Sequence, residues 1–459
     1  MKKKILVIGC GGAGMFSSIV ATQLKPGKFE ATILSDEKDI YCRCTSPYIL
    51  TKHATLKEAI QPNSMIGDYG VKLVPDPAVS VDFSRKEVIG KSGVNYGYDY
   101  LVIATGTSAF KPPIKGINGN KIHTVRTSED IEDIAKHVKK SKKAVVIGGG
   151  IIGIEMAGAL KERGMKVSIV EIQDKLLSGI TDEEYSDKIK NLLESKKIDL
   201  LLNSTVNEIK TKRDKSKQVI ISQCKKNLKL DADLIIVAAG VRPNTQFLED
   251  SMLAMDKGYI IVNNKMKTNK SGVYACGDCS SSKSALVNEK WPSQLASVAI
   301  QQAKVVGYQM AGMPINYHGH TDAFAFKVLG KEFAQAGLDE EKARDKFKIV
   351  FTGRAETTDI YKDMKEHEPL QVKLIFAGLR GKLIGIQAYG KGVTGHVESG
   401  SLAMSLNAGI MKLLRYNYIA HPSLTPWPFM NPIIMAAEDA MGKVMARFKK
   451  KFGKCCTKK

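Results

Sequence analysis

A short apolar run followed by a glycine-rich loop and a longer apolar segment occurs twice in the chain. In the first copy the run is at residues 4–9 and the longer segment at residues 15–24. In the second copy they are at residues 144–147 and 154–163. A short run of this kind predicts a buried parallel strand, and the longer segment predicts a helix. The pattern therefore predicts two strand-loop-helix units.

Both loops have the spacing G-x-G-x-x-G, which in this setting binds the pyrophosphate of a dinucleotide. The first glycine makes the turn, the second lets the backbone approach the pyrophosphate, and the third lets the helix pack on the strand. The next predicted strand, residues 166–170, ends at Glu171, whose carboxylate suits a ribose 2′-hydroxyl and repels the 2′-phosphate of NADP. Two nucleotide sites are therefore predicted, the second for NAD. The predicted loop residues are Gly9, Gly11, Gly12, Ala13 and Gly14 in the first site and Gly148, Gly150 and Gly153 in the second.

Composition limits the class of protein further. The chain has 459 residues, which suggests about three domains. Its apolar runs fall short of the roughly 18 residues that span a bilayer, and its N-terminal run is too short for a secretion signal. The eight cysteines are too sparse for a disulfide scaffold, so a cytoplasmic protein is expected. Lys and Arg number 69 against 47 Asp and Glu, and the net charge of +22 favours anionic partners of any kind.

Three further segments resemble those of two-dinucleotide-domain flavoproteins. The segments are residues 100–106, 239–245 and 273–278. The resemblance assigns cofactor binding to Ala104, Thr105 and Gly106 in the first, to Gly240 in the second, and to Gly277 and Asp278 in the third. Together with the two glycine loops they cover most of residues 1–310, and the chain resembles a pyridine nucleotide-disulfide oxidoreductase. The resemblance implies FAD at the first site, NADH rather than NADPH at the second, and a homodimer.

The predicted fold class is α/β, with two Rossmann-like dinucleotide-binding domains, for FAD and NAD, and a C-terminal α+β dimerisation domain. Apolar or alternating segments predict strands of the last domain at residues 323–330, 370–377 and 382–390, and a helix is predicted at 397–414. The predicted boundaries are 1–115 and 246–318 for a split FAD domain, 116–245 for the NAD domain, 319–440 for the dimerisation domain, and 441–459 for a basic tail that contains Cys455 and Cys456.

Cys44 is the candidate catalytic residue. Ser46 suits a helix N-cap and Pro47 the first helical turn, so the thiol is predicted just ahead of a helix N-terminus. There the partial positive charge, with Arg43 beside it, is expected to lower the pKa of the thiol. The alternative is an ordinary small core residue. Cys42 is predicted to be a bystander, because an extended chain places the two Cα atoms near the upper limit for a disulfide.

Residues 44–48, C-x-x-P-Y, resemble the redox segment of coenzyme A-disulfide reductases and of NADH-dependent persulfide or polysulfide reductases. This resemblance implies a small disulfide or sulfur compound as substrate. Gly12 stands where the family's NADH oxidases and peroxidases have a histidine, which disfavours oxygen or peroxide, and the first helix lacks the basic residues expected for coenzyme A. Asp36 is predicted to bind the FAD ribose, shifted by one residue from the strand end. His421 is interpreted as a loop or core histidine, because Leu424 stands where the family has a tyrosine.

Basic residues are concentrated at the C-terminus. Residues 443–459 contain eight Lys or Arg and no acidic residue. Apolar residues at helical spacing there predict an amphipathic helix that suits an anionic membrane surface or an acidic protein, and a solvated helix is the alternative. No nucleic-acid partner is predicted. The C-x-x-C spacing of Cys276 and Cys279 is interpreted as structural, and no metal site is predicted.

Three functional hypotheses follow from these residues. The first is an FAD-dependent NADH oxidoreductase that reduces a disulfide, persulfide or polysulfide through Cys44. The second is an NADH oxidase or diaphorase-like flavoprotein that passes electrons to oxygen, a quinone, a metal ion or a protein. The third is a flavin-binding sensor without efficient turnover.

Overall fold

The computed structural model describes residues 1–224 and 226–456, with side chains up to residue 446. The chain divides into two compact units. The first contains Met1–Leu176, Leu193–Ser284 and Asn288–His320, and the second contains Leu177–Leu192, Ala285–Val287 and the chain from Thr321 onward. Among the described residues, none of the helices combines the length and the apolar character needed to cross a membrane.

The first unit begins with short strands and helices. In chain order they are β1 (Lys3–Ile8), α1 (Gly12–Leu24), β2 (Phe29–Leu34), β3 (Ile40–Tyr41), α2 (Ser46–Leu50), α3 (Leu56–Ala59), β4 (Ile60–Gln61), α4 (Ser64–Gly67), β5 (Val71–Val74), β6 (Ala78–Asp82), β7 (Glu87–Gly90), β8 (Asn95–Gly97), β9 (Tyr100–Ile103), β10 (Thr107–Ala109) and β11 (Ile122–His123).

The chain continues through the second glycine loop. The next elements are α5 (Ser128–Val138), β12 (Lys143–Ile147), α6 (Ile151–Glu162), β13 (Lys166–Val170), α7 (Glu183–Ser195), β14 (Asp199–Leu201), β15 (Ser204–Thr211), β16 (Lys217–Gln223), β17 (Lys226–Ala232), β18 (Leu234–Val237) and β19 (Val241–Pro243).

The remaining elements complete the first unit and build most of the second. They are β20 (Met255–Asp256), β21 (Tyr259–Ile261), β22 (Val273–Ala275), β23 (Ser280–Lys283), β24 (Lys290–Pro292), α8 (Ala296–Met310), β25 (Phe324–Val328), β26 (Lys331–Gly337), α9 (Glu340–Lys346), β27 (Val350–Thr358), β28 (Pro369–Ala377), β29 (Lys382–Gly390), α10 (Val393–Ser405), α11 (Ile410–Leu413) and α12 (Pro432–Cys456).

Two parallel sheets form the centre of the first unit. One has the strand order β22-β9-β1-β2-β5, and the other has β11-β18-β12-β13-β14. Ile8 pairs with Leu34 and with Ile103, so three strands end at the same edge of the first sheet. In parallel α/β sheets, ligands bind beyond the carboxyl ends of the strands. This topology therefore brings together loops that are far apart in the sequence.

The second unit contains an antiparallel sheet, with strand order β25-β26-β29-β28-β27. Helix α12 packs closely on β27, since a Cβ on Gly353 would lie 1.7 Å from the carbonyl oxygen of Ala436. The three strands predicted for this region are all present, and the sequence analysis missed β26 and β27 between them.

One helix of the second unit differs from the prediction of residues 397–414. Helix α10 begins at Val393, directly after Gly392, and ends at Ser405. Asn407 has φ +52°, a left-handed conformation that ends the helix, and the short α11 follows. Helix α12 extends to Cys456, but the side chains that would decide the character of the basic tail, with those of Cys455 and Cys456, lie outside the described residues.

A buried lysine holds four acidic and basic neighbours of the second unit together. The side chain of Lys373 is 3% exposed, and its Nζ lies 2.7 Å from Asp182 Oδ2 and 2.8 Å from both Glu184 Oε1 and Glu340 Oε2. Arg354 donates to the same Glu184 carboxylate. Burial opposes the charge of Lys373, but its bonds to three carboxylates outweigh burial and raise its pKa. Glu184 and Glu340 also pair with arginines, so the charge of Lys373 matters most for the buried carboxylate of Asp182.

We expect Lys373→Met to destabilise the protein by about 3 kcal/mol, because removing one partner leaves buried charges uncompensated. Removal of one partner of a buried ion pair costs about 3–5 kcal/mol. We expect the lower value because Glu184 is 35% exposed and would still be paired with Arg354. Chemical denaturation followed by circular dichroism measures the loss. Lys365→Met, at an exposed loop position of the same unit, is the control and should change stability little. Equal stability of the two variants would contradict the assignment.

Candidate functional site

The two glycine loops have the same backbone geometry. Gly9 and Gly148 have φ of +105° and +113°, and their N–H groups donate to the carbonyl oxygens of Leu34 and Val170, at 2.8 and 2.9 Å. A Cβ on Gly14 would lie 1.9 Å from the carbonyl oxygen of Gly9. The same construction on Gly153 gives 2.1 Å to the carbonyl oxygen of Gly148. These glycines are required by the turn and by the packing of helix on strand.

The middle glycines have a different environment. Gly11 and Gly150 are extended and directly precede helices α1 and α6. No atom lies within 4 Å of a Cβ built on either residue. Open space above a loop that ends in a helix N-terminus suits a pyrophosphate, which a Cβ would obstruct. The predicted residues Gly12 and Ala13 form the first turn of α1. Both loops therefore fit a dinucleotide.

Acidic residues follow the second strand of each sheet. Glu171 comes directly after β13, and its carboxylate accepts bonds from Gly149 N at 2.5 Å and Gln173 N at 2.8 Å. Ser35 takes the corresponding position after β2, and the predicted Asp36 is exposed. The next residue, Glu37, is partly buried and pairs with Arg43. Burial raises the pKa of Glu37, against the opposing charge of Arg43.

Glu37 is therefore a second candidate for the FAD ribose beside Asp36. The sequence analysis missed it because the acid was expected within one residue of the strand end. The sequence signal for Glu37 was the pair of consecutive acids Asp36 and Glu37. Of the two, Glu37 is the one that is partly buried. The charge of Glu37 acts on the thiol of Cys10 inside the first glycine loop, where burial is the main cause that raises the pKa of Cys10 to about 11.

The other predicted residues of the first site converge at the carboxyl edge of its sheet. Ala104, Thr105 and Gly106 follow β9, while Gly277 and Asp278 follow β22. Thr107 Oγ1 donates to Asp278 Oδ2 at 3.2 Å, and Gly277 N donates to Gln302 Oε1 at 2.7 Å. Gly240, which was predicted to belong to the second site, lies in the loop after β18 and has φ +99°.

Arg126 was missed by the sequence analysis. Its guanidinium lies 3.9 Å from Asp278 Oδ2, and a Cβ on Gly106 would be 3.1 Å from its Nη2. Burial lowers the pKa of Arg126, and burial raises that of Asp278 although the arginine opposes this. The pair places one positive and one negative charge where three loops meet. No local motif marks Arg126, since its partner is far along the chain.

Cys44 lies in a 3₁₀ turn, Arg43–Thr45, that leads directly into α2. The prediction of Ser46 as N-cap is wrong. Ser46 is the first helical residue, and its hydroxyl donates to the carbonyl oxygen of Arg43 and bonds to the Tyr41 hydroxyl, both at 2.8 Å. The N-cap is Thr45, and its side chain makes no capping bond. The helix has only five residues, so it offers little dipole to the thiol.

The predicted lowering of the Cys44 pKa is also wrong. Although residue Cys44 is exposed, partial desolvation of its thiol, followed by the charges of Cys42 and Glu155, raises its pKa, and Arg43 opposes this only in part. The charge of Arg43 is engaged by Glu37. In the chain alone, the Cys44 thiol is therefore mainly protonated at neutral pH.

Glu155 is a further residue that sequence reasoning missed. It lies on α6, two residues after Gly153, and α6 packs against α2. Burial alone raises its pKa to about 7. A carboxyl with such a pKa exchanges its proton near neutrality. The available signal was an acid inside the apolar first ten residues of a helix that opens at a nucleotide loop.

The C-x-x-C pair of the first unit lies in the protein core. Cys276 and Cys279 are fully buried, and each thiol points at a backbone carbonyl oxygen. Burial raises the pKa of both. In the part of the chain that the structure describes, no group of three or more His, Cys, Asp or Glu residues could hold a metal ion. His421 is exposed in a loop.

Two glycine loops, each between a strand of a parallel sheet and a helix, define a protein with two dinucleotide-binding folds. Comparison with known families agrees. Residues 3–303 match the pyridine nucleotide-disulphide oxidoreductase family, and residues 324–428 match the dimerisation domain of that family. The chain belongs to the pyridine nucleotide-disulphide oxidoreductases, a family that uses FAD and NADH. The predicted fold class and family are confirmed.

Individual relatives differ in their named activities. A NADH oxidase of Methanocaldococcus jannaschii is 29% identical, over 96% of this chain and 99% of its own length. A CoA-dependent NAD(P)H sulfur oxidoreductase of Pyrococcus abyssi is 27% identical, over 89% and 92%. The solved structure of an NAD-dependent persulfide reductase from A. fulgidus is 28% identical, with a TM-score of 0.90 over 96% of this chain and 84% of that one.

The two kinds of glycine predict separable effects of substitution. Gly150→Ala should keep the thermal stability and raise the Kd for NADH by about tenfold or more, because the new methyl group obstructs the pyrophosphate. Gly153→Ala should instead lower stability by about 1–3 kcal/mol through overpacking. Isothermal titration and thermal denaturation measure the two quantities. Gly67→Ala, in α4 with no atom within 4 Å, is the control. Loss of stability in Gly150→Ala with intact NADH binding would contradict the assigned roles.

The charges around Cys44 predict opposite shifts of its reactivity. Glu155→Gln should lower the pKa of Cys44, because it removes a negative charge, and Arg43→Gln should raise it. The pH dependence of alkylation by iodoacetamide, quantified at Cys44 by mass spectrometry, gives each pKa. Glu162→Gln, at the exposed end of the same helix, should leave the profile unchanged. A higher pKa in Glu155→Gln would refute the electrostatic description.

Proposed function

We propose that this protein oxidises NADH and reduces a disulfide, persulfide or polysulfide through Cys44. The observation that supports the proposal is the exposed thiol of Cys44 just ahead of α2, a helix that packs against α6 at the second glycine loop. Its pKa responds to Glu155, on the helix that opens at the second glycine loop, and to Asp278, at the edge of the first sheet. An exposed thiol in that position suits the exchange of electrons between a bound nucleotide and an external sulfur compound.

The cofactors would be held by the residues described above. FAD would lie on the loop of residues 9–14, with Asp36 or Glu37 at its ribose and with residues 104–106, Gly277 and Asp278 along its length. NADH would lie on Gly148, Gly150 and Gly153, close to Gly240. When bound, FAD accepts hydride from NADH and supplies two electrons to an oxidised thiol.

The chain's own residues prepare the thiol for this exchange. The closed turn at Arg43–Thr45 and the Tyr41–Ser46 bond fix the position of Cys44. Glu155, with a pKa of about 7, can hold the proton that the thiol releases when it attacks a sulfur compound.

NADH is the preferred nucleotide at the second site. Both oxygens of the Glu171 carboxylate accept backbone bonds at the end of β13, which fixes the negative charge at the place of the adenosine ribose. This charge repels the 2′-phosphate of NADPH.

A sulfur acceptor is supported by Cys44 and by the names of the Pyrococcus and A. fulgidus relatives. Gly12, the first residue of α1, offers no side chain to assist peroxide or oxygen chemistry. The second candidate function is an NADH oxidase or diaphorase-like activity toward oxygen, a quinone, a metal ion or a protein. The name of the Methanocaldococcus relative favours it.

The assembly proposed is a cytoplasmic homodimer. It is supported by the match of residues 324–428 to the family's dimerisation domain. The predicted split domain boundaries are also part of this proposal. A further part is contact of the basic tail with an anionic membrane surface or an acidic protein, which rests on the sequence alone.

Cys44→Ser should lose reduction of polysulfide and of coenzyme A disulfide by at least about 100-fold, while NADH still bleaches the flavin. Anaerobic stopped-flow absorbance follows the flavin, and NADH consumption follows turnover. Cys224→Ser, another exposed cysteine, should behave as wild type. Full activity of Cys44→Ser with sulfur acceptors would refute the thiol mechanism. Activity confined to oxygen, quinones or metal ions in both proteins would favour the second candidate.

A further inference from the structure

We propose that Cys42 is the resolving thiol of this site, and that it displaces sulfur from oxidised Cys44 to form a Cys42–Cys44 disulfide. The proposal rests on the function proposed above and changes it from a single-cysteine to a dithiol reaction. The prediction that Cys42 is a bystander rests on one reason only, the large distance between the Cα atoms of Cys42 and Cys44 in an extended chain. The structure removes that reason.

The backbone between the two cysteines forms a closed turn. Thr45 N donates to the carbonyl oxygen of Cys42 at 3.2 Å, and Thr45 Oγ1 donates to the same oxygen at 2.6 Å. A 3₁₀ turn rises by about 2.0 Å per residue, against about 3.3 Å in a strand. Two residues of a fully extended strand separate Cα atoms by about 6.6 Å, close to the upper limit of about 6.8 Å for a disulfide, and a 3₁₀ turn shortens that separation.

The turn is anchored on both sides. Before it, Cys42 N donates to the carbonyl oxygen of Ala59 at 2.9 Å, next to the pairing of β3 with β4. After it, Ser46 bonds to Tyr41 at 2.8 Å. The two thiols are thus held on one fixed segment.

Arg43 lies between the two cysteines in the sequence, and its guanidinium is directed to Glu37. Both cysteines are exposed and free. Cys42 is also the neighbouring ionisable group that raises the pKa of Cys44 most, as expected for a close pair.

The proposed steps balance for a polysulfide acceptor. The Cys44 thiolate attacks the polysulfide, which gives a Cys44 persulfide and a polysulfide shorter by one sulfur atom. The Cys42 thiol then attacks Cys44 Sγ, which forms the disulfide and releases hydrosulfide that carries away the Cys42 proton. Two electrons from NADH and two protons, one from NADH and one from solvent, return both cysteines to thiols. The Cys44 thiol gives back one proton when it ionises for the next cycle.

Trypsin provides a direct test because Arg43 separates the two cysteines. Cleavage after Lys38, Arg43 and Lys52 places Cys42 in peptide 39–43 and Cys44 in peptide 44–52. The holoenzyme is treated anaerobically with sodium tetrasulfide, quenched with acid and N-ethylmaleimide, digested and analysed by mass spectrometry. We expect peptides 39–43 and 44–52 joined by a disulfide that dithiothreitol breaks. An uncleaved peptide 39–52 lighter by two hydrogen atoms is the same species.

Substitution of Cys42 should trap the preceding step. Cys42→Ser and Cys42→Ala should accumulate Cys44 with one additional sulfur atom, and steady-state tetrasulfide reduction should fall by about tenfold or more. Flavin content shows whether each variant is folded and loaded. Cys224→Ser, which changes an exposed cysteine outside the turn, should match wild type in both assays.

The outcomes distinguish the two proposals. A wild-type enzyme that carries persulfide on Cys44 with Cys42 free, together with wild-type turnover in Cys42→Ser, would overturn the resolving role and leave the proposed function standing. No modification of Cys44, together with unchanged turnover in Cys44→Ser, would overturn the proposed function itself.

Discussion

The first unit depends on two contacts that only glycine allows. A Cβ on Gly14 or Gly153 would fall about 2 Å from a carbonyl oxygen of the preceding loop, so any other residue would push the helix away from the strand. The contact sets the direction of the first N–H groups of α1 and α6. A pyrophosphate needs those groups, and the acids and the cysteine turn are arranged around the place where it would bind.

Desolvation, rather than position beside a helix, decides the protonation of the groups around that place. Burial raises the pKa of Cys44, Glu155, Glu37 and Asp278, and in each case it is the leading cause. A short helix and a paired Arg43 do not compensate. These shifts favour the protonated thiol at Cys44 and place the titration of Glu155, on a helix that packs against α2, near neutrality.

The fold does not decide the electron acceptor. Relatives are named as an NADH oxidase, a sulfur oxidoreductase and a persulfide reductase, so the shared fold leaves the acceptor open. Under the proposed function, the residues of this chain that bear on the choice are Gly12 and the exposed cysteines Cys42 and Cys44. The buried Lys373 cluster of the second unit serves stability instead, because its charges are all engaged with one another.

The sequence by itself determined the fold class and located the two glycine loops, and it made Cys44 the candidate thiol, because each of these depends on spacings within a few residues of one another. Local spacing could not reveal the tertiary partners. Arg126 meets Asp278, and Glu155 acts on Cys44, only after the strands of two parallel sheets have been brought side by side. The direction of the pKa shift of the thiol was decided there, since burial and charge pairing depend on residues far apart in the chain.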